Sequence, residues 1–316
     1  MSDTNVIAVV GATGSQGGGL VRAILDDPKK RFHARALTRD PNSDKAKELA
    51  KLGAEVVAAD LEDVDSVTAA FAGAHAAYGV TFFWEHFSPD TEKAHANNIA
   101  EAARRANLSH VIWSTFEDTR KWVPLDDDRM PTLQGKYKVP HFDAKAEANA
   151  HFTERKLPVT FLLTSNYWDN MIHLGMGPKR NENGKLEFVL PMGDKKLPGI
   201  AAEDIGKVAF GIFAEGPGMA GKTIGAAGDH LTGTQMAASL TKALGEEVTY
   251  VPVPPAVYRS FGFPGADDLG NMFQFKADFE TDYCGARDLK TARSLGGDLM
   301  TFDQWLGKYG SRIEVG

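Results

Sequence analysis

The chain has 316 residues and a mass of 34.2 kDa, which is long enough for one large domain or two closely packed ones. It is 43% hydrophobic and 24% charged, a composition that fits an ordinary globular protein and argues against disorder, collagen or a repeat array. The net charge is −7 and the longest basic run is Lys29–Arg31, so we expect no direct binding to nucleic acid.

Cysteine content and hydropathy indicate the cellular compartment in which the protein is expected. Cys284 is the single cysteine, so neither an internal disulfide nor a cysteine-based zinc site can form. No apolar stretch approaches the ~20 residues that span a bilayer, and the first residues are polar rather than a secretory leader. We therefore expect a cytoplasmic protein with no membrane partner and no metal site.

Short apolar strands and amphipathic helices alternate through the first half of the chain. Strands are predicted at 6–10, 32–37, 55–59, 76–80, 110–113 and 159–163, and helices at 20–25, 43–52, 64–71, 90–106 and 141–155. Residues 116–140 have no steady period and are predicted as a loop or flap. The alternation predicts an α/β fold, a Rossmann doubly wound parallel sheet.

Glycines and prolines punctuate the C-terminal half, but short apolar pieces lie between them, so these residues do not form a linker. We expect a smaller α+β lobe built over the sheet. The predicted boundaries are 1–158 for the Rossmann domain and 159–316 for the rest. This second part contains the sixth strand and a smaller lobe for substrate or partner binding, and it is interleaved with the first.

A glycine motif lies between the first strand and the first helix. Gly11, Gly14 and Gly17 have the spacing G-x-x-G-x-x-G. Such glycines allow a tight turn, close approach of the backbone to a pyrophosphate and close helix packing, while the helix N-terminus offers free N–H groups. The motif therefore predicts that the Rossmann domain binds a dinucleotide.

The end of the second strand selects between the two nicotinamide dinucleotides. Arg39 stands where an arginine accommodates a 2′-phosphate, and Lys45 in the next helix could add charge. Asp40 is the competing signal, because it could bind a ribose hydroxyl or pair with Arg39. We expect NADP(H) as the cofactor, with Asp60 and Leu61 beside the adenine, although Asp60 could equally cap the following helix.

His141 and Lys145 are four residues apart on a predicted helix and project from one face. In short-chain dehydrogenases a tyrosine and a lysine at this spacing lie beside the nicotinamide ribose, but no tyrosine of this chain has a lysine four residues later. His141 occupies the tyrosine's place and can exchange a proton near neutral pH. We predict both residues as catalytic and Lys145 also as a cofactor ligand; the alternative is that His141 is a polar residue of the helix surface.

Three segments resemble the NmrA-like family of atypical short-chain dehydrogenase relatives: the glycine motif at 11–18, Val80-Thr81 with Trp84, and residues 141–145. Residues 262–269 with 271–273, and 299–306, are similar to the HSCARG-type NADPH sensors within that family. The resemblance therefore spans nearly the whole chain.

The resemblance implies which positions hold NADP(H). They are the glycine turn with Thr13, Ser15 and Gln16, then Arg39, Thr81 and Lys145, and finally the stretch 166–170 with Asn166 and Tyr167. Phe82 and Phe83 are placed near the nicotinamide. Phe82 stands where relatives often carry a polar residue, so a polar contact is lost there.

Glu117 follows the fifth strand, where the carboxyl edge of the sheet opens to a ligand, and is a candidate catalytic acid or base. An apolar cleft lined by Phe82, Phe83, Trp84 and Trp168 would tune such a carboxyl for proton transfer. The alternatives are a structural hydrogen-bonding role for Glu117 and a core role for the aromatic residues.

Three functions remain open at this point. The leading one is an NADPH-dependent oxidoreductase of a small apolar carbonyl, quinone or imine. The second is a non-catalytic sensor of the NADPH/NADP⁺ ratio that regulates a protein partner, which explains the missing tyrosine. The third is an acid/base enzyme that uses Glu117 and keeps the cofactor as a structural element. The partner is a small-molecule substrate or a regulatory protein, and a homodimer is compatible with the sequence.

Overall fold

The computed structural model describes residues 5–315 of the chain, and strands alternate with helices through its first half as predicted. The strands are β1 (Asn5–Val9), β2 (Phe32–Thr38), β3 (Glu55–Ala58), β4 (Ala76–Gly79), β5 (His110–Thr115) and β6 (Val159–Leu163). The helices are α1 (Ser15–Leu25), α2 (Asp44–Lys51), α3 (Val64–Phe71), α4 (Pro89–Arg105) and α5 (Pro140–Glu154). Helix α1 begins before the predicted start at Leu20, because glycines 17–19 are helical and buried.

The C-terminal half consists of shorter elements. Its strands are β7 (Asn166–Tyr167), β8 (Lys179–Arg180), β9 (Leu186–Leu190), β10 (Lys196–Ile200), β11 (Thr223–Gly225), β12 (Asp229–Thr232) and β13 (Val248–Pro252). Its helices are α6 (Asn170–His173), α7 (Ala202–Glu215), α8 (Gly233–Leu244), α9 (Pro255–Arg259), α10 (Ala266–Asp278), α11 (Glu280–Gly285), α12 (Leu289–Gly296) and α13 (Phe302–Tyr309).

A seven-stranded parallel sheet has the order β3-β2-β1-β4-β5-β6-β11. The strand order reverses between β1 and β4, and in open α/β sheets ligands bind outside the carboxyl ends of the strands at such a point. Strand β11 was not predicted, because three residues give no readable period. It pairs with β6, so the C-terminal half contributes a strand to the Rossmann sheet.

Helices cover both faces of this sheet. Apolar residues of α1 and α7 pack on one face, and those of α3, α4 and α5 pack on the other. The remaining lobe has its own apolar core and two three-stranded sheets, β12-β10-β7 and β13-β9-β8. The predicted fold class, a Rossmann sheet with a smaller α+β lobe, is confirmed. Within residues 5–315, no helix has the length and apolar character to cross a membrane.

The predicted loop at 116–140 is held against the start of α5 by one buried carboxylate. Asp143 Oδ1 accepts hydrogen bonds from the Thr119 backbone N–H at 2.8 Å and from its hydroxyl at 2.7 Å. Asp143 Oδ2 accepts from the backbone N–H groups of Lys138 and Val139 at 2.9 and 3.1 Å. These bonds fix the first turn of α5, which carries His141.

Candidate cofactor and substrate cleft

A cleft of about 1380 Å³ opens along the carboxyl ends of the central strands and is lined by both halves of the chain. Its volume exceeds the roughly 300–1,000 Å³ of a typical small-molecule pocket, so it has room for a cofactor and a second molecule. Of the predicted site residues, Glu117 alone is not in its wall. The others line the cleft: Gly11, Thr13, Gly14, Ser15, Gln16, Gly17, Arg39, Lys45, Asp60, Leu61, Thr81, Phe82, Phe83, His141, Lys145, Asn166 and Tyr167.

The glycine turn has the shape that a pyrophosphate site requires. Gly11 has a φ of +64°, a left-handed conformation that other residues adopt only with strain. A Cβ atom at Gly17 would lie 2.5 Å from the Gly11 carbonyl oxygen, so only glycine fits there. Helix α1 begins without a side-chain cap and without an acidic residue in its first turn. Its N-terminal N–H groups and dipole therefore remain available to an anion.

Gln16 joins the glycine turn to the C-terminal half of the chain. Its Nε2 donates to the Tyr167 hydroxyl at 2.6 Å, and its Oε1 accepts from the Tyr78 hydroxyl. Tyr167 also donates to Thr164 Oγ1 at 3.2 Å. Burial raises the pKa of Tyr167 to about 12, so this hydroxyl stays protonated at neutral pH. The network forms a fixed polar floor beneath the cleft.

Arg39 lies at the adenosine end of the cleft with 70% of its side chain exposed. It does not pair with Asp40; its Nη1 donates to Glu85 Oε1 at 2.5 Å. Asp40 instead forms a hydrogen bond within its own loop, where its Oδ1 accepts from the Asn42 backbone N–H at 2.8 Å. Lys45 lies on the same wall and is also exposed. Two cationic side chains at this position suit the 2′-phosphate of NADP(H).

Lys145 is buried in a polar cluster at the end of β4. Its Nζ donates to the Thr81 hydroxyl at 2.7 Å and to the Thr81 carbonyl oxygen at 3.0 Å, and it pairs with Glu92 Oε1 at 2.5 Å. Burial by itself would raise the pKa of Glu92, but the Lys145 charge, hydrogen bonds from Lys145 and Thr81, and His86 Nε2 at 3.4 Å from Oε2 lower it to about 2. Glu92 is therefore a carboxylate that holds Lys145 in place at the cleft wall.

His141 is the second polar residue on this wall of α5. Its Nδ1 donates to Asp268 Oδ1 at 2.6 Å, and its backbone N–H donates to Asp268 Oδ2 at 3.1 Å. The carboxylate fixes the ring orientation and its tautomer, as in a histidine–aspartate catalytic pair. Nε2 has no hydrogen-bond partner among residues 5–315, and the ring lines the cleft. His141 therefore lines the cleft with its Nε2 unpaired rather than lying on an outer helix surface.

Aromatic side chains form the wall beyond His141. The Trp84 ring lies 4.7 Å from the His141 ring, and Phe83 lies 6.0 Å from it. Phe82 is 61% exposed, and Phe261 and Phe263 face the cleft from the C-terminal lobe. These aromatic residues, from residues 82–84 and from the C-terminal lobe, therefore form an apolar wall beside His141.

The expectation that Trp168 lines the cleft is wrong. Trp168 is buried, with its ring 5.3 Å from that of Phe302 and 6.3 Å from that of Trp305. It belongs to the core of the C-terminal lobe, because α13 carries apolar residues that cover it.

Glu117 lies behind the cleft wall. Its Oε1 and Oε2 accept from the two Arg287 Nη groups at 2.5 and 3.0 Å. Arg287 is fully buried, and its Nε donates to the Thr164 carbonyl oxygen at 2.8 Å. This two-pronged pair favours the structural alternative for Glu117, since its carboxylate neutralises a buried guanidinium.

Three acidic residues that contact predicted site residues were not predicted from the sequence: Glu85, Glu92 and Asp268. Each is an acidic residue that binds a predicted cationic or imidazole group from a distant part of the chain. The chain has 42 acidic residues, so no local pattern could select these. Asp268 did lie in a segment, 262–269, that resembles the sensor branch of the family.

Comparisons with known proteins agree with this geometry. The sequence profile of the NmrA-like family matches residues 3–306. The NmrA-like family oxidoreductase lnbB of Aspergillus flavus is 28% identical over 289 residues, covering 86% of this chain and 83% of its own. The NmrA-like family oxidoreductase FrzB of Cladobotryum is 28% identical over 293 residues, covering 86% of this chain and 84% of its own.

Solved structures give the same result. The structure of NmrA, a negative transcriptional regulator, in complex with NADP has a TM-score of 0.78 and 25% identity, and the match covers 96% of this chain and 95% of that one. The same regulator is also solved in complex with NAD. The predicted cofactor is confirmed, because these similar structures contain NADP or NAD. The glycine turn, Arg39 and Lys145 of this chain are suited to bind such a dinucleotide. The chain belongs to the NmrA-like family of NAD(P)-binding oxidoreductases and their regulatory relatives.

Proposed function

We propose that this protein is an NADPH-dependent oxidoreductase that reduces a small apolar carbonyl, quinone or imine compound. The observation that carries the proposal is the continuity of the cleft: it runs from the glycine turn past Lys145 to an aromatic wall on which His141 and Asp268 form a proton-transfer pair. A site that only bound the dinucleotide would not need this extension.

The preference for NADPH over NADH rests on charge at the adenosine end. Arg39 and Lys45 line the wall where the 2′-phosphate would lie, and Asp40 is used by its own loop. A guanidinium binds a phosphate through charge-assisted hydrogen bonds, which the ribose hydroxyl of NADH cannot match.

Lys145 and His141 would have different roles in the reaction. When bound, the reduced nicotinamide supplies a hydride to the acceptor. Lys145, held by Glu92 and Thr81, would bind the ribose hydroxyls and set the position of the ring. His141, with Nδ1 bound to Asp268, would act as an imidazolium and give its Nε2 proton to the acceptor's oxygen or nitrogen, which leaves the neutral ring with its proton on Nδ1. The aromatic wall would hold the apolar part of the acceptor beside His141.

A mutational test follows from these roles. His141→Ala should lower the rate of NADPH oxidation with a carbonyl, quinone or imine acceptor by about 10²–10⁴-fold, while NADPH affinity changes little. His173→Ala is the matched control, since His173 is exposed at the end of α6. An equal rate in the His141→Ala protein would remove His141 from the reaction.

A sensor of the NADPH/NADP⁺ ratio is the second candidate, because no tyrosine of the chain has a lysine four residues later to form the usual catalytic pair. The Arg39–Glu85 pair joins the end of β2 to residues 83–85 of the cleft wall, so the 2′-phosphate of either NADPH or NADP⁺ would compete with Glu85 for Arg39; this contact would report binding of the dinucleotide and not its redox state. If no acceptor supports turnover while NADPH, and not NADP⁺, changes protease sensitivity or sedimentation, the sensor replaces the oxidoreductase.

A further inference from the structure

Lys276 is a buried amine that has no hydrogen-bond acceptor among residues 5–315. Four cationic side chains in residues 5–315 are buried: Lys138, Lys145, Lys276 and Arg287. Lys138 Nζ donates to two backbone carbonyl oxygens at 2.7 and 2.8 Å, and Lys145 and Arg287 each pair with a carboxylate. Lys276 Nζ has neither a carboxylate nor a hydrogen-bond acceptor within the described chain, although only 2% of the residue is exposed.

The surroundings of Lys276 are aromatic. Its Nζ lies 5.4 Å from the ring centres of Phe273 and Tyr283 and 5.6 Å from that of Phe142. Ring faces attract a cation, but they accept none of the three strong hydrogen bonds that an ammonium group can donate. An ammonium buried in this way is costly unless an acceptor is supplied from outside the protein.

The charged groups near Lys276 do not supply that acceptor. Glu117 is the near carboxylate, and both of its oxygens are bound by Arg287. Burial, and then the charge of Arg287, lower the pKa of Lys276 to about 7, against the opposing charge of Glu117. Tyr283, the other titratable group against Nζ, has its pKa raised by burial and is neutral. Lys276 can therefore lie neutral in the cleft and take up a proton when an anion arrives.

Lys276 lines the same cleft as His141, between Phe142 of α5 and Met272 of its own helix. We propose that Lys276 is an anion-binding subsite of this cleft, and that the molecule it accepts is a planar apolar compound carrying a carboxylate. Of the rings around Nζ, Phe142 lines the cleft together with Phe83 and Trp84, so these rings would hold the apolar body while the ammonium group binds the carboxylate. The subsite narrows the substrate class of the proposed oxidoreductase to acceptors that carry a carboxylate. This narrowing rests on the proposed function, because it assumes that the molecule bound in the cleft is the acceptor.

Binding measurements test the subsite without turnover. Naphthalene-2-carboxylate and its neutral primary amide have the same shape, and each is titrated calorimetrically into the NADP⁺-loaded protein. We expect the carboxylate to bind about ten- to a hundredfold more tightly than the amide. At about pH 8 roughly one proton should be taken up per carboxylate bound, which is measured from the heats in buffers of different ionisation enthalpy.

Two variants complete the test. Lys276→Met should abolish the preference for the carboxylate and the proton uptake. NADP⁺ affinity should stay equal, and the thermal unfolding midpoint should stay equal or rise, since a buried amine without an acceptor is removed. Lys179→Met, which changes an exposed lysine of the same cleft, should keep both properties. Equal binding of the two probes, no binding of the carboxylate, or an unchanged preference in Lys276→Met would overturn the subsite. Absence of NADPH oxidation would instead count against the proposed function alone.

Discussion

Arg39 and Glu85 form an ion pair across the mouth of the cleft, with Nη1 and Oε1 2.5 Å apart. Arg39 follows β2, and Glu85 ends the short helix that follows β4, so the pair connects the two sides of the adenosine site. The guanidinium that the 2′-phosphate requires is therefore shared with a carboxylate of the protein. If Arg39 binds the 2′-phosphate as proposed, NADPH binding would exchange one anion for the other.

This competition predicts that Glu85→Gln strengthens NADPH binding. Both side chains are exposed, 70% and 47%, so the pair is worth at most about 1 kcal/mol and the gain in affinity is up to about fivefold. NADH affinity should not change. Fluorescence titration with both cofactors measures the effect, and Glu62→Gln, an exposed acid of the same cleft, is the control.

Arg39→Ala provides the complementary change. It should weaken NADPH binding by about ten- to a hundredfold, the value of a charge-assisted phosphate contact, with little effect on NADH. A cofactor preference that survives Arg39→Ala would mean that the 2′-phosphate is bound by other residues.

Lys145 has two roles that mutation can separate. Lys145→Met leaves the Glu92 carboxylate buried without its cation, so we expect a loss of about 3–5 kcal/mol in unfolding free energy as well as weaker NADPH binding. Adding Glu92→Leu should restore most of the stability and none of the NADPH affinity. Chemical denaturation and calorimetric titration of both proteins check this. Restored affinity in the double variant would show that Lys145 does not bind the cofactor.

The lowered pKa of Glu92 predicts that the free energy of unfolding depends on pH in the acid range. Its pKa is lowered from 4.5 to about 2 in the folded protein, so its contribution is complete above about pH 4.5 and is lost as the pH falls toward 2. The shift corresponds to on the order of 3 kcal/mol. The difference in unfolding free energy between wild type and Glu92→Gln should shrink across this range. A constant difference, as expected for the exposed control Glu48→Gln, would contradict the assignment.

Glu117→Gln distinguishes structure from catalysis at the Arg287 pair. Because Arg287 is fully buried, losing the carboxylate should destabilise the protein by about 3–5 kcal/mol. The rate of NADPH oxidation per folded molecule should be retained. A stable but inactive Glu117→Gln protein, shown by thermal unfolding together with the rate assay, would restore Glu117 as a catalytic acid or base.

Local sequence signals explain what could be predicted. The glycines at 11–17 and the position of Arg39 depend on neighbours along the chain, so a motif and a strand boundary suffice to find them. The spacing of His141 and Lys145 is likewise a local property of one helix. The strands and helices of the first half follow from the same kind of periodicity.

The partners of these residues depend on tertiary contacts. His141 and Asp268 are 127 positions apart, and Glu117 and Arg287 are 170 apart, so no spacing rule joins them. Lys276 has the sequence context of an ordinary helix residue, and only the folded lobe shows that aromatic rings enclose it. The prediction that Trp168 lines the cleft is wrong for the same reason, since the helix that covers Trp168 begins at Phe302, far along the chain.

The most direct test of the account is hydride transfer itself. The purified protein is incubated with NADPH that carries deuterium at the transferred position of the nicotinamide ring, together with a panel of apolar aldehydes, quinones and cyclic imines, half of them bearing a carboxylate. We predict that mass spectrometry finds NADP⁺ without the deuterium for each acceptor that is reduced, and one carbon-bound deuterium in each reduced aldehyde or imine; a hydroquinone exchanges the label with water. His141→Ala should lower the rate of this transfer. Deuterium that stays on the cofactor with every acceptor, while NADPH still binds, would contradict it.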